Sequence, residues 1–209
     1  MPMQDRTKLM FAEQLETMLK AIPLEKVRIV DLCRRSGATP PTFYYHFHDK
    51  YELVAWIFLH DFADICGDQE PGYSPALITT ILERIDSRRT FYSRAYQEHS
   101  QNSINRYVQD FNVRLGKGAL KSLTGSDDIS SEQLLAIKYH SYGVMGLFRE
   151  WLFGDLPIAT ADLARFQFEH TPDFLKKALH AYQYNSSNIL SQSAQSSAEA
   201  STTSRTNSK

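Results

Sequence analysis

The chain lacks most of what a catalytic, secreted or membrane-embedded protein relies on. It holds two cysteines in 209 residues, Cys33 and Cys66, in separate segments and with no Cys-x-x-Cys pair. That spacing offers neither a disulfide framework nor a cysteine metal cluster. None of the seven histidines falls in a His-Glu-x-x-His spacing, and no glycine-rich phosphate loop occurs. No metal, no cofactor and no enzymatic activity are therefore expected. A run of about eighteen apolar residues, the minimum for a membrane-crossing helix, is missing. The opening MPMQDRTKLMFAEQ has no apolar core of the kind a secretion signal carries. The expected setting is the reduced cytoplasm, with both thiols inert.

Charge of one sign is also scarce, with a formal net charge of −1. Taken alone, that argues against a nucleic-acid partner. Its distribution argues otherwise: residues 1–50 carry eight Lys/Arg and six Asp/Glu, a balance of +2 against −3 for the rest. So small an excess predicts weak, salt-sensitive nonspecific DNA affinity, with sequence readout carrying more of the binding.

What is present centres on Val27 to Leu53, VRIVDLCRRSGATPPTFYYHFHDKYEL. Ile29, Val30, Leu32 and Cys33 form an apolar stripe on a short helix. Ser36-Gly37-Ala38 supplies a turn, with glycine at the left-handed position other residues avoid. Thr39 is the expected N-cap of a second helix, Pro40 to Phe47. Two prolines are tolerable at its start, because first-turn N–H groups have no intrahelical partner to lose. Two short helices about a glycine-bearing turn have the spacing of a DNA-binding helix-turn-helix.

Phe43 and Phe47, four apart, can anchor the second helix to a core. Thr39, Pro40, Pro41, Thr42 and Tyr45 are then left to face outward, where hydroxyls can bond base edges and rings can meet thymine methyls. Tyr44, His46 and Lys50 stand where phosphates could be reached, and Lys50 opens a further helix whose N-terminus would attract anions.

The run Thr39-Pro-Pro-Thr-Phe-Tyr-Tyr-His-Phe, followed by Lys50 and Leu53, resembles the signature of the TetR/AcrR family of bacterial repressors, over roughly Leu9 to Val54. The resemblance implies that this motif lies on a recognition helix and on the start of a helix linking it to a regulatory body. One departure is that the family often carries Gly, Lys or Arg where this chain has Pro40-Pro41, so weaker phosphate anchoring is expected there.

The rest of the chain reads as helices throughout. Thr7 to Ile22 has a wide apolar stripe and would complete a three-helix unit. Lys50 to Cys66 would be the linking helix, and the break GDQEPGYS marks a boundary. Further helices are expected from Ser74-Pro75, Arg88, Ser103, Glu132, Thr160 and Thr171, with Ser130 or Ser131 and the two threonines as caps. Glu132 to Phe153 is apolar on more than one face and should be buried on two sides. Gly143 and Gly146 would admit a neighbouring helix closely. The segment from Arg89 to Tyr92, Gln101-Asn102-Ser103, and Tyr142-Gly143 to Leu152 resembles, at scattered positions across Ser74 to Lys177, the regulatory domain of a mainly Firmicutes-type TetR subset. That subset includes regulators of dihydroxyacetone-kinase operons.

The expected fold is all-α: a helix-turn-helix domain over 1–50, then a helical regulatory and dimerisation domain over 51–184, with 51–66 the linking helix. Residues 185–209, Ser-rich and nearly without apolar residues, are expected to be a disordered tail. The expected function is a homodimeric transcriptional regulator, with repression the expected sign. It would bind double-stranded operator DNA under the control of a small-molecule effector. Aromatic positions offer a candidate effector site: Phe91, Tyr92, Tyr96, Tyr107, Phe111, Tyr139, Tyr142 and Met145. The alternative is a co-regulator whose body binds a protein partner. A four-helix bundle from Glu132–Phe153 and Thr171–Tyr184 of both subunits is the expected dimer contact.

Overall fold

The computed structural model describes residues 3–67, 72–97, 103–184 and Ile189. Among these, ten α-helices and one short 3-10 turn occur, with no strand. The helices are α1 (Met3–Leu19), α2 (Ile29–Arg35), α3 (Pro40–His46), α4 (Lys50–Gly67), α5 (Pro75–Ser87), α6 (Arg89–Tyr96), α7 (Ile104–Thr124), α8 (Ser131–Phe153), α9 (Thr160–Glu169) and α10 (Asp173–Ala181). The 3-10 turn, Leu24–Lys26, follows Pro23 and joins α1 to α2.

Local chemistry accounts for most of the helix ends. Between α2 and α3, Gly37 adopts φ 63°. Its N–H donates to the Arg34 carbonyl at 3.3 Å, and the Ala38 N–H reaches back to Cys33 at 2.9 Å. This pair of bonds is a Schellman closure, and its left-handed residue is why glycine stands there. Thr39 holds the expected N-cap position of α3, but its hydroxyl meets that of Thr42 at 3.0 Å instead of a first-turn N–H. Ser74 does cap α5, accepting the Leu77 N–H at 3.2 Å with Pro75 in the first turn. Ser130 and Gln133 form a reciprocal capping box on α8. Thr160 and Thr171 cap nothing. Ala159 and Pro172 hold those positions, and the Thr171 hydroxyl turns back to the Gln167 carbonyl at 2.8 Å.

Phe11, Phe43, Phe47 and Trp56 stack edge-on or tilted from ring to ring, with centroids 5.2, 5.7 and 6.0 Å apart. They join α1, α3 and α4 about one apolar centre. Phe43 is fully buried; a core phenyl of this kind is worth about 3–5 kcal/mol against alanine. The apolar core continues without interruption into the later helices. There α5 packs on α9, α10 on α7, and α7 on α8. Gly116 lies within α7, facing α8 and α10. A Cβ there would lie 3.1 Å from Ile137 and 3.3 Å from Leu175, so the missing side chain lets α7 approach α8 and α10.

Two expectations about the later helices are corrected. α8 is buried on one side only: Leu135, Tyr139 and Tyr142 are exposed, Tyr139 at 83%, and nothing lies near Gly143 or Gly146. α10 buries Leu175, Ala178 and Leu179 against the body, so it has no surplus apolar face. The exposed aromatic beyond α8 is Phe166 on α9. Of the expected tail over 185–209, Ile189 is described and is buried in the core; the other residues of that segment lie outside the described set.

Candidate nucleic-acid interface and internal cavity

Burial of Phe43 and Phe47 fixes which side of α3 faces out. Tyr44 is 58% exposed and Tyr45 73%, with Thr39 and Pro41 also exposed and Pro40 and Thr42 half-buried. Hydroxyls, phenol rings and proline rings therefore share one outward surface, seven residues long. Val30 of α2 is exposed too, so the apolar stripe expected there leaves one member in solvent. Arg28 and Arg34, flanking it, are both bound to Asp31, at 2.7 and 2.6 Å. The hydrogen bond from Arg28, followed by nearby positive charge, holds that carboxyl below its usual range.

Two residues expected at phosphates stand differently. Lys50 directs its ammonium to the carbonyls of Glu25 and Val27, at 2.8 and 3.0 Å. It pins α4 to the end of the 3-10 turn. The N–H groups of Tyr51 and Glu52 are both taken by the Asp49 carboxylate at 2.8 Å, so the start of α4 already has its anion. His46 is half-buried, and burial, then the charge of Lys8, lowers its pKa. The lowered pKa disfavours the cationic ring that a phosphate contact would use.

A second feature lies inside the body. A cavity of about 160 Å³ lies among α4, α5, α6, α7, α8, α9 and α10. Its wall is mostly apolar, from Phe58, Phe62, Leu77, Ile78, Leu82, Val108, Leu115, Ile137, Met145, Phe148, Leu175 and Leu179. Polar groups are few: Tyr73, Asn112, His140, Ser141, Gln167 and Tyr184.

Of the eight aromatic and Met positions singled out in the sequence, Tyr96 and Met145 line this cavity. Phe111 packs edge-on against Phe58 and Phe62 behind the wall. Phe91 and Tyr92 are buried in a different contact, beside Arg88. Tyr107 lies half-buried on α7, outside the cavity wall, and burial lifts its pKa to about 12. Tyr139 and Tyr142 face solvent. Helical spacing told that these side chains repeat on a face, but not which face met the cavity. The lining residues on α4, α5 and α9 were missed because their stripes read equally well as plain core.

Between the two features runs a buried ionic cluster with no counterpart in the sequence reading. Asp61 of α4 accepts from Arg88, from Arg84 at 3.1 Å and from the Tyr92 hydroxyl at 2.6 Å. Arg88 also holds Glu16 of α1 at 2.7 Å. Burial works against the Arg88 charge, yet the Glu16 hydrogen bond and the Asp61 carboxylate raise its pKa overall. Burial and the adjacent Asp61 push the Tyr92 phenol well up. The cluster thus joins α1, beside the helix-turn-helix, to α4, α5 and α6 of the body. Among the described residues no group of His, Cys, Asp and Glu could hold a metal, and no helix is long and apolar enough to cross a membrane.

Comparison with known proteins agrees with this architecture. Residues 74–173 match a TetR-type family model described as transcriptional regulator C-terminal region. The chain is 23% identical over 91 residues to the HTH-type dhaKLM operon transcriptional activator DhaS of Lactococcus lactis. That alignment covers 43% of this chain and 49% of the relative, so the chain spans about half the length of the curated protein it matches. Among solved structures, a dihydroxyacetone kinase operon activator DhaS superposes with a TM-score of 0.52 at 19% identity, covering 84% of this chain and 98% of the other. A TetR regulator from Rhodococcus sp. RHA1 gives 0.51 at 18% identity over 79% and 95% of the two chains. One from Streptomyces coelicolor gives 0.50 at 15% over 93% and 90%. The described residues form an all-α fold like that of these structures. Residues 74–173 are similar to the C-terminal region of transcriptional regulators, and the fold is similar to that of the TetR-family structures.

Proposed function

We propose that the chain is a homodimeric regulator that inserts α3 into the major groove of operator DNA and releases or binds it according to a small molecule held in the body cavity. Residues 1–50 form the DNA-binding unit and 51–184 the regulatory and dimerisation unit. The observation that carries the reading is the two-sidedness of α3: Phe43 and Phe47 sealed into the core, Tyr44 and Tyr45 projecting into solvent. A surface helix with no partner would ordinarily turn charged side chains outward. Thr39, Pro40, Pro41, Thr42 and Tyr45 offer hydroxyl and apolar contacts to bases, while Tyr44 and His46 reach toward the backbone.

The exposed stripe on α8, with Leu135, Tyr139 and Tyr142, supports a two-fold contact with a second copy, joined by Phe166 of α9 rather than by α10. Gly143 and Gly146 lie on the open side of the same helix, where a partner helix can come close. Effector control follows from α4. One helix carries cavity residues Phe58 and Phe62, the Asp61 cluster, and at its start Lys50 tied to the 3-10 turn. A ligand that shifts α4 must shift the spacing of the two α3 helices, and couplings of this kind amount to about 1–3 kcal/mol. Repression is the sign we assign where the operator overlaps a promoter. The α8 stripe also suits a protein partner, as in the alternative reading; the cavity favours the small molecule.

Replacing Tyr45 with alanine tests the reading. Binding to the preferred duplex should weaken by about 1–3 kcal/mol and specificity should relax. Unchanged affinity and preference for both Tyr45→Ala and Thr42→Ala would remove α3 from the interface.

A further inference from the structure

Gln167 of α9 is 6% exposed, and its amide nitrogen has no hydrogen-bond partner. Buried donors are almost always satisfied, so a stranded one calls for an explanation. Its side chain stands in the cavity wall. Most of the neighbouring polar side chains already have partners. Thr171 receives the Tyr73 hydroxyl at 2.9 Å, lies 3.4 Å from His140 and donates to the Gln167 carbonyl. Ser141 donates to the Gln109 carbonyl at 3.3 Å, and the Tyr184 hydroxyl donates to Leu179 at 3.1 Å. The Gln167 amide is therefore a buried donor left for an occupant.

Among the described residues the wall carries no Asp, Glu, Lys or Arg. His140, in that wall, is held neutral by burial, with a pKa lowered to about 4. Burial likewise raises the pKa of Tyr73, Tyr96 and Tyr184, so these phenols stay protonated. A charged guest would lose its hydration with no opposite charge to replace it, which is prohibitive in an apolar site. An apolar protein cavity of about 150 Å³ accepts benzene, and this one is of that size at about 160 Å³.

We infer that the cavity takes an uncharged, mainly apolar molecule of about the size of a substituted benzene, with one carbonyl or hydroxyl oxygen that accepts from Gln167. The inference rests on the effector reading above, and names the chemical class of the effector. The aromatic walls from Phe58, Phe62, Tyr96 and Phe148 grip the ring by edge and face contacts. Anionic metabolites such as sugar phosphates or carboxylates are excluded by the same wall.

Calorimetric titration of the full chain with acetophenone, toluene and benzoate tests this. Acetophenone should bind with one site per chain, and tighter than toluene by about 10-fold, the worth of one hydrogen bond. Benzoate should not bind measurably. In Gln167→Leu the preference for acetophenone over toluene should vanish while toluene binding persists. Benzoate binding as tightly as acetophenone would overturn the inference. So would a preference that survives Gln167→Leu, or a wild-type protein that binds neither neutral probe while still binding DNA. A parallel measurement of operator affinity separates the two claims. Acetophenone that binds through Gln167 yet leaves operator affinity unchanged supports the ligand class and overturns effector control by it.

Discussion

Replacing Asp61 with alanine removes the centre of the ionic cluster, and the structure allows the cost to be worked out. Three donors converge on this carboxylate: Arg88, Arg84 and the Tyr92 hydroxyl. Removing one partner of a buried ion pair costs about 3–5 kcal/mol, because the other charge is left without compensation. Arg88 keeps Glu16 and Arg84 is 39% exposed, so the ionic part belongs near the lower limit, about 3 kcal/mol. The Tyr92 hydroxyl is fully buried and would lose its acceptor, adding about 1 kcal/mol or more. A total of about 4 kcal/mol is a large share of ordinary domain stability, and at this chain length it should lower the melting temperature by about 8–16 °C. Calorimetric or circular-dichroism melting reads the change directly. In Asp61→Ala/Tyr92→Phe, the hydroxyl contribution should be recovered, so the double variant should melt above the sum of the two single effects. If Asp61→Ala melts within a degree or two of the wild type, the cluster is ornamental and the link between α1 and the body has been misjudged.

Lys50→Ala should lower stability by about 1–3 kcal/mol through the two lost carbonyl bonds, and leave the salt dependence of DNA binding unaltered. A fall of about one unit in that slope with unchanged stability would restore Lys50 to a phosphate. The His140 pKa, lowered by burial to about 4, makes stability pH-dependent. The unfolded ring takes up a proton near pH 6.5 while the folded one resists, so this contribution is complete above pH 6.5 and lost as pH falls toward 4. Between pH 7 and 5 it should amount to about 2 kcal/mol. Urea denaturation at the two pH values should show that loss in the wild type and a smaller one in His140→Gln; equal losses would contradict the assignment.

The helix-turn-helix was readable from sequence because its signals are local. A glycine at a left-handed turn, prolines confined to a first turn and two phenylalanines four apart each act within a few residues. The same locality explains what was not readable. Lys50 looked like a phosphate ligand because its partners, the carbonyls of Glu25 and Val27, lie more than twenty residues away. Tyr139 and Tyr142 repeat at helical spacing as Tyr96 and Met145 do, but periodicity does not say whether a stripe meets core, cavity or solvent. Gln167 carried no signal at all: a lone polar residue in an amphipathic helix becomes informative only when its amide is found buried without a partner. The Arg88 cluster joins residues 72 positions apart, beyond the range of any pattern in the chain.

Selection of bound duplexes from a fragmented genomic or random library by the purified full-length chain tests the central claim most directly. The account predicts enrichment of an inverted repeat whose half-sites lie about 10–10.5 base pairs apart, centre to centre, or a multiple of that spacing. Its enrichment should be lost with Tyr45→Ala. Enrichment of single half-sites would contradict the two-fold dimer, and a library returned without any preferred sequence would contradict the assignment of α3 as the element that reads DNA.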